Sequence, residues 1–330
     1  MNEFELIRLL TQSLPGNPAL VVGPGDDCAV LDLGLPGKLL LFKTDAVVEG
    51  IHFTAETSPE KIGHKALARC LSDVAAMAGE PVAALVTLAL PRQFDPKRIE
   101  AIYAGMNALA GRHHVAIAGG ETTTNPDRLL LSLAVVGTVA RGKCIARSGA
   151  KPGDAIFVTG ELGGSLAGRH LEFDPRLAEA RWLADHFELH AMIDLSDGLA
   201  GDLRHLLSAG QVGAELLTSA IPVSRAAKQQ TLAGASAKSP LQAALTDGED
   251  FELLFCLDKK HAVPLMDAWK KQFPEVKLSC IGKITAGTGL KLRGRHGLLT
   301  THLTGYTHFS EPGANGVSRE GSANYSNAAD

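Results

Sequence analysis

Short apolar runs of strand character alternate with helix-type patterns along most of the chain. They are ALVVG, KLLLFKTDAVV, a helix-type stretch from Pro59 to Ala78, VAALVTLAL, another near Pro96 to Arg112, and VAIAGG. A sequence that switches repeatedly between the strand period and the helix period folds as layered sheets and helices, which predicts an α/β (α+β) class. The Pro59 stretch carries its own start signal: Ser58 at the N-cap position, proline next, and Glu60 in the first turn. RLLLSLAVVGTVA reads as a long closing strand, and the polar, glycine-rich RGKCIARSGAKPGD after it reads as a connection. A second series follows through AIFVTG, GGSLAGRHL, AMIDLSDGLAGDL and FELLFCLD. These patterns predict a first domain over residues 1–145 and a second over 146–310. The tail, 311–330, has almost no large apolar side chain and is expected to be disordered.

Composition narrows the function. The 330 residues carry a formal net charge of -4, with no basic stripe able to neutralise a nucleic-acid backbone. Five cysteines, widely spaced and without a C-x-x-C, suggest neither a disulfide framework nor a zinc cluster. Reduced thiols in a cytoplasm are expected. MNEFELIRLLTQSLPG reads as an amphipathic helix rather than a signal peptide, and LLLSLAVVGTVA is shorter than the ~20 residues a membrane-spanning helix needs. A soluble protein is expected.

Carboxylates recur where apolar runs end. Asp26 and Asp27 stand side by side after a glycine turn, Asp45 closes a strand-type run, and Asp73 lies in a helix pattern followed by uncharged residues. Glu121 follows a double glycine, and Asp194 and Asp197 sit at a strand-to-helix turn. Singly, each has a plain reading: Asp27 in a turn, Asp73 paired with Arg69 four residues earlier, Ser196 or Asp197 as an N-cap. Together, buried carboxylates repel and each costs several kcal/mol unless compensated. A divalent cation is the natural compensator, and oxygen ligands with the nearby Thr44 hydroxyl suit Mg²⁺, which shares its shell with phosphates. No G-x-x-x-x-G-K-[ST] loop occurs, but the turns GPGDD, AGGETTT and TGELGGS offer backbone N–H groups to phosphate, and Arg147 offers a positive charge or an interdomain ion pair.

The chain resembles the thiamine-monophosphate kinase family of the aminoimidazole-ribonucleotide-synthetase-like ATP-binding superfamily. The resemblance is carried by GPGDDCAVL, TDAVVEGIHF, KALARCLSDVAAMAGEP, AGGETT, RSGAKPGD, VTGELGGS, IDLSDGLAGDL, DGEDFELLF, IGKI and GYTHF, in the family's order. It implies a two-domain PurM-like fold whose N-terminal domain pairs with a second copy across a β-barrel, giving a homodimer. It also implies transfer of the γ-phosphoryl group of ATP to thiamine monophosphate, with several Mg²⁺ ions. Residue by residue, the resemblance implies metal ligation by Asp27, Thr44, Asp45, Asp73, Glu121, Asp194 and Asp197. Nucleotide contacts fall on Gly120, Glu121, Arg147, Ser196 and Tyr103, and thiamine phosphate contacts on His52, Glu249 and Tyr306. No general base is required, because a phosphate monoester with a second pKa near ~6 is already largely ionised at neutral pH. Four departures from the family pattern leave the ion count and acceptor open: Lys43 stands where a small hydroxyl residue is common, Glu121 is longer than the usual aspartate, DGED replaces a double glycine, and TTTNP lacks the arginine often found after its motif. Two alternatives remain at this level, a superfamily enzyme with another acceptor and a non-catalytic nucleotide- or metal-binding derivative.

Overall fold

The structure, a computed structural model, describes residues 3–295, 297–300, 303, 305 and 306. The tail expected at 311–330 lies outside the described residues. After an N-terminal helix α1 (Glu3–Thr11), the first half contains β1 (Leu20–Val22), β2 (Ala29–Leu31), β3 (Lys38–Val48), α2 (Pro59–Ala76), β4 (Glu80–Leu90), α3 (Pro96–Arg112), β5 (Ala116–Thr124) and β6 (Leu130–Ala140). Its sheet has the order β1-β2-β3-β6-β4-β5, and only the β4–β5 pair is parallel. Among the described residues this sheet is open, ending at β1 and β5.

Strand alternation divides the two faces. Leu39, Leu41, Val47, Val86, Leu88, Leu131, Leu133 and Val135 are buried in the main core. Phe42, 47% exposed, and Leu85, 50% exposed, lie on the other face. Helix α2 is buried on nearly every side, because the sheet, α3 and the second domain each cover part of it. It starts at the expected place, but the Ser58 hydroxyl donates to Glu60 rather than capping the helix. Glycines let α3 approach: a Cβ on Gly63 would overlap the Ile102 carbonyl, and one on Gly105 the Glu60 carbonyl.

The second half contains β7 (Ala155–Thr159), α4 (Leu177–His186), β8 (Leu189–Asp194), α5 (Leu199–Gly210), β9 (Gly213–Leu217), α6 (Arg225–Leu232), α7 (Pro240–Thr246), β10 (Leu253–Leu257), α8 (Ala262–Gln272), β11 (Leu278–Thr285), β12 (Gly289–Gly294) and β13 (Gly297–Thr300). The sheet order is β13-β12-β9-β11-β7-β10-β8, with only β9–β12 parallel. Alternation again gives two faces. Phe157 and Phe255, their rings 5.6 Å apart, extend the core that surrounds α2. Val158, Ile193 and Leu254 face a second core with residues of α5 and α7. The alternating sequence thus builds mostly antiparallel sheets, which makes the chain α+β.

Candidate functional site

Three elements deliver carboxylates to one point between the domains. Asp27 precedes β2 in the turn after Gly25, whose φ of 119° lies in the region glycine tolerates best. Asp73 lies in the last turns of α2, and Asp194 ends β8. One ligand oxygen from each lies within 4.8 Å of the others, and the residues are only 2%, 7% and 3% exposed.

Each carboxylate is held by a different neighbour. Arg147 Nη2 donates to Asp27 Oδ1 at 2.6 Å, Lys43 Nζ to Asp73 Oδ1 at 2.8 Å, and Ser72 Oγ to Asp194 Oδ2 at 2.6 Å. Asp26 braces the loop instead, accepting from the Arg147 backbone N–H at 3.1 Å and from Asp27 N–H at 3.1 Å. Asp27 Oδ2 is buried with no hydrogen-bond partner.

The electrostatics follow from this crowding. Burial pushes the Asp73 carboxyl well above the usual range, with Asp194, Asp45 and Asp27 adding to it and Lys43 opposing. Burial, then Asp27, raises Asp194 to about 7. Burial, then Glu3, raises Asp197 to about 6. For Lys43, burial works against the charge, but Asp73 and Asp45 outweigh it and the ammonium is held more tightly than in water. A buried all-oxygen cluster with an unpartnered oxygen and under-compensated charge fits a hard divalent cation.

A second cluster adjoins the first. Arg69 Nε donates to Asp45 Oδ2 at 2.9 Å, and its Nη1 stands 3.6 Å from Glu249 Oε1. Lys65, fully buried, places its ammonium 2.7 Å from each of Glu249 Oε2, the His52 carbonyl and His170 Nδ1. Burial opposes the Glu249 charge, but the His170 hydrogen bond and Lys65 outweigh it and hold its carboxyl at about 2. Burial, then Arg69, lowers His52 to about 4. Glu249 and Phe251 have φ of 54° and 49°, a strained path for non-glycine residues. Asp250 between them is pinned by Gly163 N–H at 2.9 Å and by Arg169 at 3.1 Å. The Ser196 carbonyl accepts from Glu249 N–H at 2.6 Å, and the Asp197 carbonyl from Tyr306 N–H at 2.9 Å, so these sequence candidates share one backbone junction.

Other candidates lie elsewhere in the chain. Thr44 is exposed on the opposite sheet face from Lys43 and Asp45, because neighbouring strand residues alternate, so its hydroxyl is not in the cluster. Gly120 and Glu121 are exposed on the edge strand β5. The register Ala46–Ser132–Thr87–Glu121 puts Glu121 three strands from β3, about 14 Å away at ~4.8 Å per strand. Tyr103, on α3, packs half-buried against the main core. The pair Asp73–Arg69 read from helix spacing does not form; Arg69 goes to Asp45 and Asp73 to Lys43. Ser72 and His170 do not stand out in the sequence by type or position alone. Lys65, Arg69 and Asp73 recur every fourth residue on α2, a charged stripe in a helix with few other charges, and that signal is readable. His170 carries none.

Two family models match the chain: AIR synthase related protein, N-terminal domain, over residues 25–139, and AIR synthase related protein, C-terminal domain, over 151–295. The thiamine-monophosphate kinase of Rhodopirellula baltica is 41% identical over 283 residues, covering 83% of this chain and 86% of that protein. That of Escherichia coli strain K12 is 34% identical over 334 residues, covering 94% and 99%. The solved structure of AaThiL complexed with AMPPCP and TMP superposes with a TM-score of 0.79 at 29% identity, covering 93% of this chain and 97% of that one. The two mixed α/β domains are therefore a PurM-like pair. With both halves matched in order and close relatives spanning almost its full length, the chain belongs to the thiamine-monophosphate kinase family of AIR synthase related proteins.

Proposed function

We propose that this chain transfers the γ-phosphoryl group of ATP directly to the phosphate of thiamine monophosphate, giving thiamine diphosphate and ADP. The observation that carries the reading is the buried Asp27–Asp73–Asp194 cluster, with its unpartnered Asp27 oxygen, joined through Asp45 and Arg69 to the Glu249 cluster. The relatives named above are thiamine-monophosphate kinases, and AaThiL was solved with AMPPCP, a non-hydrolysable ATP analogue, and TMP.

A Mg²⁺ ion held at the cluster would supply charge neutralisation between two polyanions. Asp27, Asp194 and the side of Asp73 away from Lys43 would hold it, with Asp45 and Asp197 nearby as further candidate ligands. Arg147 fixes Asp27 and lies within reach of a nucleotide phosphate. On the acceptor side, Glu249, paired with Lys65 and Arg69, and the neutral imidazole of His52 stand together where the resemblance implies thiamine phosphate contacts. Tyr306 adjoins them. An ionised acceptor phosphate needs no proton removed, so the site's work is to orient and to offset repulsion.

The finer parts of the reading concern assembly. The exposed apolar face with Phe42 and Leu85 supports a homodimer in which two such sheets close a β-barrel. Thr44 lies on that face and Gly120 and Glu121 on its edge strand, so we assign them a role at or across the subunit contact. The division at residue 145 and a cytoplasmic location belong to the same proposal; no helix among the described residues is long and apolar enough to cross a membrane.

The test is direct. Purified protein incubated with ATP, Mg²⁺ and thiamine monophosphate should form thiamine diphosphate and ADP in equal amounts. Nucleotide binding without either product would sink the reading.

A further inference from the structure

Lys43 is a cation that the chain itself places inside the acidic cluster, against Asp73. It shares a face of β3 with Asp45, and its ammonium lies 2.8 Å from Asp73 Oδ1, with Asp45 and Asp27 as its other charged neighbours. Its side chain is 23% exposed, so little water competes for that contact. Arg147 behaves differently. It takes only Asp27 Oδ1 and leaves Oδ2 buried and unpartnered, so the Asp27 side of the cluster still has an oxygen to offer.

We infer that Lys43 is a resident counter-cation that occupies one divalent-ion position of the site, so that this chain binds one ion fewer than the same carboxylates would with a short side chain at residue 43. The inference rests on the kinase reading above. Its chemistry is simple. Mg²⁺ needs its oxygens at about 2.0–2.1 Å, closer than an ammonium donor approaches, and Asp73 Oδ1 cannot hold both on the same side. A second cation beside the ammonium would also meet strong repulsion in a site shielded from water. A tethered charge is present at every magnesium concentration, whereas an ion must be recruited. Asp73 is therefore compensated before nucleotide arrives, and the remaining ions gather on Asp27 and Asp194.

The experiment counts ions. Full-length protein saturated with AMPPCP is titrated with Mn²⁺, and free Mn²⁺ is read by electron paramagnetic resonance. K43S should bind one more Mn²⁺ per chain than the wild type. Wild-type crystals grown with Mn²⁺ and AMPPCP give an independent measurement if K43S folds poorly. Their anomalous maps should show manganese at Asp27 and Asp194 and none coordinated to Asp73 Oδ1. An equal, non-zero count in both proteins, or a manganese peak on Asp73 Oδ1 in the wild type, overturns the inference and leaves the kinase reading standing. No bound manganese in either protein, with no thiamine diphosphate formed, overturns both.

Discussion

The Ser72 hydroxyl donates a 2.6 Å hydrogen bond to Asp194 Oδ2, linking residues 122 positions apart and joining α2 of the first domain to the end of β8 in the second. It sets the direction of the Asp194 carboxylate, a proposed metal ligand, from across the domain junction. Ser72→Ala leaves Asp194 buried with its main donor gone. Loss of such an orienting contact weakens metal affinity or activity by about 10–100-fold, and a hydrogen bond to a charged group carries about 1.5–3 kcal/mol. A Mg²⁺ titration of activity should shift to higher concentration by that factor, and calorimetry should show a Tm lower by several degrees. An unshifted titration would mean that Asp194 is oriented by something else.

Asp194 also repels its neighbours. With Asp27 and Asp73 it crowds three carboxylates into a nearly dry volume, an arrangement that favours cation binding at the expense of the metal-free fold. Asp194→Asn keeps the shape and removes one charge. In EDTA the variant should melt at a higher temperature than the wild type, while turnover with Mg²⁺ falls about 100-fold or more. A lower Tm in EDTA would show that the Ser72 hydrogen bond to Asp194 outweighs the repulsion among the three carboxylates.

Much of this was legible in the sequence because it is local. The strand and helix periods predicted the main elements of the first half and β7, β8, α5 and β10 of the second, but not its α4, β9, α6, α7, α8, β11, β12 or β13. GGSLAGRHL, read as a helix start, forms only short 3-10 turns. Asp27 and Asp194 beside turns, and Asp73 in a helix stretch followed by uncharged residues, stood out as unusual. What was not legible depends on faces and on pairing across long separations. Thr44 and Asp45 are adjacent in sequence and opposite in space, a consequence of strand alternation that the apolar run KLLLFKTDAVV does not reveal. Arg69 stands at the right helical spacing for Asp73 but meets Asp45, because β3 brings a competing carboxylate against α2. Lys65 and His170 are 105 positions apart and meet only once the second domain docks on α2.

Lys65 makes the proposed acceptor side pH-sensitive. Burial, against the pull of Glu249, lowers its pKa to about 8, compared with about 10.4 for a lysine in an unfolded chain. Between those values the unfolded chain holds a proton that the folded chain has lost, so this group's contribution to stability rises with pH across that window. Function moves the other way, because above pH 8 the ammonium that holds Glu249 and the His52 carbonyl is discharged. KM for thiamine monophosphate should rise between pH 7.5 and about 9 with kcat changing less. Lys65→Met should have a raised KM at neutral pH and lose that pH dependence. A parallel profile in the variant would acquit Lys65.

Phe42 reports on assembly. It is 47% exposed on the face of the first sheet away from α2, beside β6. A charge there should be tolerated by the fold and costly in a subunit contact. Phe42→Asp is expected to sediment as a monomer at concentrations where the wild type sediments as a dimer, with an unchanged circular dichroism spectrum. A wild-type monomer at all concentrations would remove the barrel from the proposal.

Helix α2 carries Lys65, Arg69, Ser72 and Asp73, so its seating on α3 should control both stability and activity. That seating depends on two glycines, each facing a carbonyl of the opposite helix segment: Gly63 against Ile102 and Gly105 against Glu60. Gly→Ala in a helix interior ordinarily stabilises by about 0.5–1 kcal/mol. Here the added methyl meets backbone on a helix already packed on its other sides, and overpacking that forces backbone shifts costs about 1–3 kcal/mol, more in tight sites. Gly63→Ala and Gly105→Ala should therefore each lower Tm, reversing the sign expected from helix propensity. Because any shift of α2 also moves Asp73 relative to Asp194, activity should fall in the folded fraction too. An alanine at either position that raises Tm would show that the two helices have room to separate.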